Sequence, residues 1–363
     1  MPAPPRQRRY LVTGATGFIG RHFVEALLAE GGIGAVTAMV SPRRAGAEEG
    51  AFQRWHAAGV RILECDLLDL PRGGPPPPGY DVVYHLAGHT QTEAPSANFR
   101  VNSEGTRNLL RWLGPTLRGR HVVAAATLAS VDHPRFGCPV DETTVCHPRT
   151  PYGRTKLQGE THLRDLHPEL GYTFTILRLC TIIGTGYRPT GMFGLLPGML
   201  RRRALGTRLN WPGRVSLLNV NDLVRLLLAL PDHSAARNEI FVVSNGENPS
   251  FNRVLDEMAS VLGCPRATLH LPGWLWRILG AVAWWSACLP WCPHGLRTWC
   301  WRLSHMIHDG LCADAAKLDS VLGLRYGSFK EGLREIYRRE VEEGAAIPDS
   351  PNPGALTGRS SIS

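Results

Sequence analysis

The nine cysteines of this sequence form no CxxC pair and no zinc-type Cys/His array, and their number is odd. That argues against a disulfide framework or a structural metal; reduced thiols in a cytoplasmic setting are the simplest reading, and no metal is expected. Lysine is nearly absent, so the formal charge of +9 is carried almost wholly by arginine, without a long basic run or a nucleic-acid motif. Nucleic acid is not an expected partner. The N-terminus MPAPPRQRRY has basic residues but no apolar segment of its own, which argues against a secretory signal. Long apolar runs are missing as well. The most hydrophobic stretch, 271 to 291, has about 17 residues between Pro272 and Pro290, at the lower limit for a bilayer span. Arg277 interrupts it, which makes a simple span an unfavourable reading.

What remains is a globular composition, 43% hydrophobic and 20% charged, on 363 residues, enough to bury a large core. Short apolar strands alternate with amphipathic helices: YLVT, then GFIGRHFVEALLAEGG as a helix stopped by Gly31 and Gly32, then AVTAMV, RILECDL, DVVYHLAG, the helix NSEGTRNLLRWL and the strand HVVAAAT. β-branched strands in turn with helices predict an α/β fold, a Rossmann doubly wound parallel sheet covered on both faces. The segment 71 to 79 reads as a surface loop. A helix to about Leu166, the strand TFTILRL, the strand IFVVSN, a helix around 251 to 262 and a polar helix near 329 to 343 follow. The expected layout is a tail over 1–8, a Rossmann domain over 9–175 with strands near 215–245 returning to it, and a smaller, mostly helical substrate-binding region from 176–214 and 246–343. A Pro-, Ser- and Gly-rich disordered tail is expected over 344–363.

GATGFIG places Gly14, Gly17 and Gly20 after a strand and at the opening of a helix. There a tight turn, close backbone approach and helix N–H groups serve a pyrophosphate, so Gly14, Ala15, Thr16, Gly17, Phe18, Ile19 and Gly20 are candidate contacts of a nicotinamide dinucleotide. An NAD-selective site usually carries an acidic residue roughly 20 positions on. Here the second strand ends in MVSPRR, and Ser41, Arg43 and Arg44 suit a 2′-phosphate. NADP is expected over NAD, with NAD the alternative.

Tyr152 and Lys156 in TPYGRTK stand one helical turn apart, a spacing that by itself means little more than a shared helix face. Context changes this. The ordered motifs GATGFIG, CDLLD with Asp66 and Leu67, HLAG with Leu86, Ala87 and Gly88, VNSEGTRNLL with Asn102, LNVNDLV with Asp222, and DAAKLDSVLGL resemble those of the extended short-chain dehydrogenase/reductase superfamily, the NAD-dependent epimerase/dehydratase family. The resemblance runs from about residue 10 to 340, and is nearest to the 3β-hydroxysteroid dehydrogenase and dihydroflavonol reductase branch. It implies that Asp66 and Leu67 meet the adenine and that Leu86, Ala87 and Gly88 lie beside the cofactor. It implies that Tyr152 moves the proton while hydride moves at the nicotinamide, with Lys156 lowering the phenol's pKa and holding the ribose. A phenol is a poor base at neutral pH without such a cation. Relatives usually show a serine pair after the fifth strand; here AAATLAS makes Thr127 the first choice for the third catalytic hydroxyl and Ser130 the second. Asn102 either bonds backbone near a helix start or also supports the active-site loop. Arg178, Cys180 and Thr181 fall where relatives line the nicotinamide pocket, with Leu-Cys where a proline is common.

Seven of the ten tryptophans lie between 274 and 301. They either pack the second region or form an apolar lid or membrane-surface contact, with Arg277, Arg297 and Arg302 at headgroups. The resulting expectation is a dehydrogenase/reductase acting on a lipophilic secondary alcohol or ketone, with a sterol-like molecule as one option. The partners are that small molecule and, as options, a membrane surface along 271–303 and a homodimer. Two alternatives stand beside it: a sugar-nucleotide epimerase or dehydratase, with RRRALGTR at 201 to 208 lining a diphosphate cleft, and a non-catalytic NAD(P)-binding regulatory protein.

Overall fold

The computed structural model describes residues 8–30, 35–42, 49–70, 74, 76, 79–90, 99–131, 139–186, 192–289, 291–308 and 312–342. Among these residues seven parallel strands form one sheet: β1 (Tyr10–Thr13), β2 (Val36–Val40), β3 (Arg61–Glu64), β4 (Val82–His85), β5 (His121–Thr127), β6 (Thr173–Leu179) and, after a separate pair, β9 (Glu239–Val243). The spatial order is β3-β2-β1-β4-β5-β6-β9. Strands β1, β2 and β4 are buried along their whole length, as uninterrupted apolar strands require when helices cover both faces; β3, on the edge, is exposed at both ends and half-buried between them. The fold is therefore the doubly wound α/β fold. One apolar cluster (Phe23, Leu27, Leu223, Leu227) fills one face and another (Leu109, Leu110, Leu163, Ile176) the other.

Chain order reverses between β1 and β4, and at that switch point the turns leaving both strands face one another. Three departures from the sequence reading bear on the site. Strand β4 stops at His85, so Leu86, Ala87 and Gly88 leave the sheet instead of extending it. The helix expected over 102–113 opens as a π-type turn, Val101–Gly105, before Thr106–Leu113; the Thr106 hydroxyl occupies the Asn102 carbonyl at 2.8 Å, competing with regular helical bonding. Of the 215–245 stretch only β9 joins the main sheet, because β8 (Leu217–Asn219) pairs with β7 (Thr181–Ile183) as a separate two-stranded ribbon.

The second region has its own core of Trp211, Trp276, Phe251, Leu255 and Tyr337. Its Trp-rich part is two helices, Gly273–Cys288 and His294–Ile307, packed closely enough that a side chain at Gly280 would collide with His308. Among the described residues no helix is long and apolar enough to cross a membrane. Arg8, the one described member of the expected N-terminal tail, reaches Asp232 at 2.5 Å; the expected C-terminal tail and most of the 71–79 loop lie outside the described residues.

Candidate active site

The glycine turn is built by close backbone approach. Gly14 has φ +68°, and a Cβ there would sit 2.6 Å from the Ala87 Cα, so this position accepts no side chain. The Gly14 carbonyl accepts from Gly17 N–H at 2.8 Å, closing the turn. Ala15 and Thr16 are buried, while Phe18 and Ile19 start the helix Phe18–Ala29 half-buried against the core. Gly17 is that helix's N-cap and provides no side-chain cap, and its first turn holds no acid. Unsatisfied amides then face the switch point, which is what a pyrophosphate needs. The residues present thus fit a dinucleotide.

Other expected cofactor contacts surround this turn. Asp66 accepts from Leu68 N–H at 2.9 Å in a tight turn after β3, and Leu67 is buried. Ser41 follows β2 and is half-buried; Arg43 and Arg44 lie outside the described residues. Ala87 N–H donates to the Thr13 hydroxyl at 3.3 Å, tying the β4 turn to β1, and Leu86 packs on the core. A Cβ at Gly88 would come 3.0 Å from the Lys156 Nζ and 2.9 Å from the Asn102 Oδ1, which places the cofactor-side turn directly against both.

Tyr152 and Lys156 ride on the helix Pro151–Leu170, which Thr150 caps by accepting from Gly153 N–H at 3.0 Å, with Pro151 in the first turn. A side chain at Gly153 would collide with the Ala129 carbonyl, so the helix start presses against the turn that follows β5. That contact brings Tyr152 to Thr127. Burial of the phenol raises its pKa, and the neighbouring Thr127 hydroxyl opposes that rise. Ser130 is fully buried, and its hydroxyl makes no hydrogen bond among the described residues. Thr127, not Ser130, is the hydroxyl that acts on the phenol's pKa.

Lys156 is buried and donates to the Ala125 carbonyl at 2.9 Å, not to Tyr152. Burial lowers its pKa to about 8, against the opposing pull of the Glu160 carboxylate, so the amine is still largely cationic at neutral pH. The Asn102 Oδ1 accepts from His89 N–H at 2.8 Å and its Nδ2 donates to the His89 carbonyl at 3.1 Å, clamping the loop after Gly88. Cys180 joins β6 to β7, its thiol pKa pushed well up by burial. Arg178 does not line an open pocket; it forms a buried ion pair with Glu160 at 2.9 Å.

Sequence reasoning missed this pair, which braces the face of the helix behind Lys156, and missed His85. That imidazole bridges the Thr13 and Thr106 hydroxyls at 2.9 Å each, and burial, aided by the Lys156 charge, drives its pKa down to about 3. It missed Arg149 too, whose guanidinium lies 3.8 Å over the Trp284 ring and so links the start of the Tyr152 helix to the Trp-rich helices. The available signal was Gly153 and Gly159, two glycines inside a helix, where each costs stability unless backbone must approach. Among the described residues no cluster of His, Cys, Asp or Glu could hold a metal.

Proteins similar to this chain include sugar-nucleotide enzymes, and are not specifically of the 3β-hydroxysteroid dehydrogenase and dihydroflavonol reductase branch expected from sequence. A UDP-glucose 4-epimerase of Vibrio cholerae is 24% identical over 283 residues, covering 75% of this chain and 81% of that protein. The solved structure of a UDP-glucuronic acid 4-epimerase variant from Bacillus cereus, in complex with a fluorinated UDP-sugar and NAD, superposes with a TM-score of 0.69 at 21% identity over 92% of this chain and 99% of that one. The RMD protein of Pseudomonas aeruginosa, complexed with NADPH, gives 0.63 at 20% identity over 91% and 97%. The model of the family described as "NAD dependent epimerase/dehydratase family" matches residues 10–244, which runs from β1 through β9 and takes in the glycine turn, Asn102, Thr127, Tyr152 and Lys156, so the chain belongs to that family.

Proposed function

We propose that this protein interconverts a secondary hydroxyl and a ketone on a nucleotide-linked sugar, with Tyr152 moving the proton and a nicotinamide dinucleotide carrying the hydride. The observation that carries this reading is the placing of Tyr152 beside the Thr127 hydroxyl and one helical turn from buried Lys156, on the helix that follows the turn after β5. Support for the sugar comes from the relatives named above, several of which act on or hold UDP-sugars by name. This puts the sugar-nucleotide reading ahead of the sterol-like one.

A bound nicotinamide would supply hydride acceptance or donation; the protein's residues do the rest. The Thr127 hydroxyl lies beside the phenol and offers a hydrogen bond to a substrate oxygen. Burial keeps the Tyr152 phenol protonated at neutral pH, ready to protonate a forming alkoxide. For the reverse direction the phenolate needs a cation, and Lys156 supplies it from the same helix face. Asn102 fixes the loop against which Gly88 and Lys156 meet. As for the cofactor, Ser41 and the absence of an acid at the end of β2, together with Arg43 and Arg44, favour NADP; the named relatives hold NAD in one case and NADPH in the other.

The test is a panel of nucleotide sugars, sterols and aryl ketones, each with NAD and NADP, on the full chain. Conversion of a nucleotide sugar, reduced about 10³-fold in Tyr152→Phe, is the expected result. Thr127→Ala should also cost orders of magnitude, and an unchanged rate would move the hydroxyl's role to Ser130. A second reading, a lipophilic alcohol as substrate, is favoured by the stacking of Arg149 on Trp284 beside the active helix. Turnover of sterols alone would establish it, and cofactor binding without turnover of any compound would leave a regulatory protein.

A further inference from the structure

The Trp-rich helix Gly273–Cys288 is built inside out. Its inward positions, 276, 280, 283 and 287, recur at helical spacing and, apart from Trp276, carry Gly280, Ala283 and Ala287; its outward face carries Trp274, Ile278, Val282 and Trp285, between 52% and 69% exposed. A helix on a water-facing surface places large apolar residues inward. Trp291, Leu296 and Trp299, on and before the following helix, are exposed as well, at 57% to 76%. Leu195, Met199, Leu205 and Leu269 extend the surface: the main chain at Leu269 bonds to that at Arg208, directly beside the short helix Leu205–Arg208. Among the described residues, Val145 is the only exposed large apolar side chain outside 195–299. Clusters of this kind mark interaction surfaces.

Charge identifies the partner. The sequence has 31 acidic residues, yet none falls between 258 and 308 and none between 170 and 221. Every exposed residue just named lies in one of these two carboxylate-free stretches, which contribute Arg277 and Arg201, Arg202 and Arg203 to the exposed surface. Exposed tryptophan and aliphatic side chains with arginines in the same stretches, and no acid there to repel phosphate, match a bilayer with anionic headgroups. A protein partner or a second copy of this chain needs apolar area but gives no reason for excluding carboxylates over two separate stretches. Since no described helix can span a bilayer, the contact is along its surface. We propose that the helices of residues 273–307, with the adjoining 195–208 segment, dock this protein on the surface of an anionic phospholipid membrane. The cofactor and substrate readings are not used in reaching this.

The test is sedimentation of the full-length protein with vesicles of phosphatidylcholine alone or of equimolar phosphatidylcholine and phosphatidylglycerol. Sedimentation with the anionic vesicles, weakened by high salt, is expected; the triple variant Ile278→Ser/Val282→Ser/Trp285→Ser should lower the partition at least about tenfold, with an unchanged circular-dichroism melt. Lipids with brominated acyl chains should quench tryptophan emission of the unaltered protein. Sedimentation with neither vesicle, partition unchanged by the triple variant, or absence of quenching would each overturn the proposal. So would a dimer in solution that the triple variant dissociates, because a second copy would then cover this face.

Discussion

The two halves of the molecule use the same residue types in opposite ways. Around the seven-stranded sheet, large apolar side chains point in: Trp55 is fully buried, and its indole N–H donates to Glu25 at 2.8 Å. In the Trp-rich helices Trp276 and Trp301 are buried, but Trp274, Trp285, Trp291 and Trp299 face outward. The choice weighed from sequence, packing or surface contact, thus has a divided answer, because neighbouring positions on one helix face different surroundings. Composition locates a tryptophan-rich segment, whereas only helical phase against a partner element decides which ring is core.

The largest effect that sharpens the contrast is expected at Trp276. Its ring packs 4.9 Å from Trp211, and its Nε1–H donates to Asn210, whose amide also holds the main chain of Leu271 at both its N–H and carbonyl. Trp276→Ala leaves a cavity in the second core and should cost about 3–5 kcal/mol in denaturant unfolding. A loss under about 1 kcal/mol would mean that this core adds little to the fold's stability.

Much of the first half could be read from sequence. β1, β5 and β6 coincide with the apolar runs YLVT, HVVAAAT and TFTILRL, since a strand buried on both faces leaves an uninterrupted run and its limits are turns. The glycine turn was legible because Gly14 leaves no room for a side chain beside Ala87. What stayed hidden were tertiary partners. The choice of Thr127 over Ser130 depends on how closely Gly153 lets the helix approach the turn after β5. The Arg178–Glu160 pair and the His85 bridge join residues 18 or more positions apart, and no local spacing announces them.

Acid response should also separate the halves. His85 and His121, both buried on the sheet, have pKa values lowered by burial to about 3 and about 4. The folded protein therefore binds fewer protons than the unfolded chain below the ordinary histidine value of 6.5. Stability is retained above that pH and falls as pH drops through the window from 6.5 toward 3, by about 1.4 kcal/mol per pH unit for each histidine. Chemical unfolding between pH 6.5 and 5 should show this slope, and His85→Gln should remove roughly one histidine's share. An unchanged slope would mean that His85 takes up its proton without unfolding the sheet.

The smallest effect is the most discriminating. Trp285→Ser removes a ring of the same size as that of Trp276 from the same helix, but 69% of Trp285 is already in water. Folding therefore gains little from it, and the substitution should shift unfolding free energy by no more than about 0.5 kcal/mol in either direction. Stability near the unaltered value, beside a large loss for Trp276→Ala, would show that the fold does not require the outward tryptophans. A contiguous group of water-facing tryptophans that the fold does not require marks a surface available to a partner. A loss comparable to that of Trp276→Ala would instead mean that the ring is covered within the chain, and the contrast between the two faces of this helix would disappear.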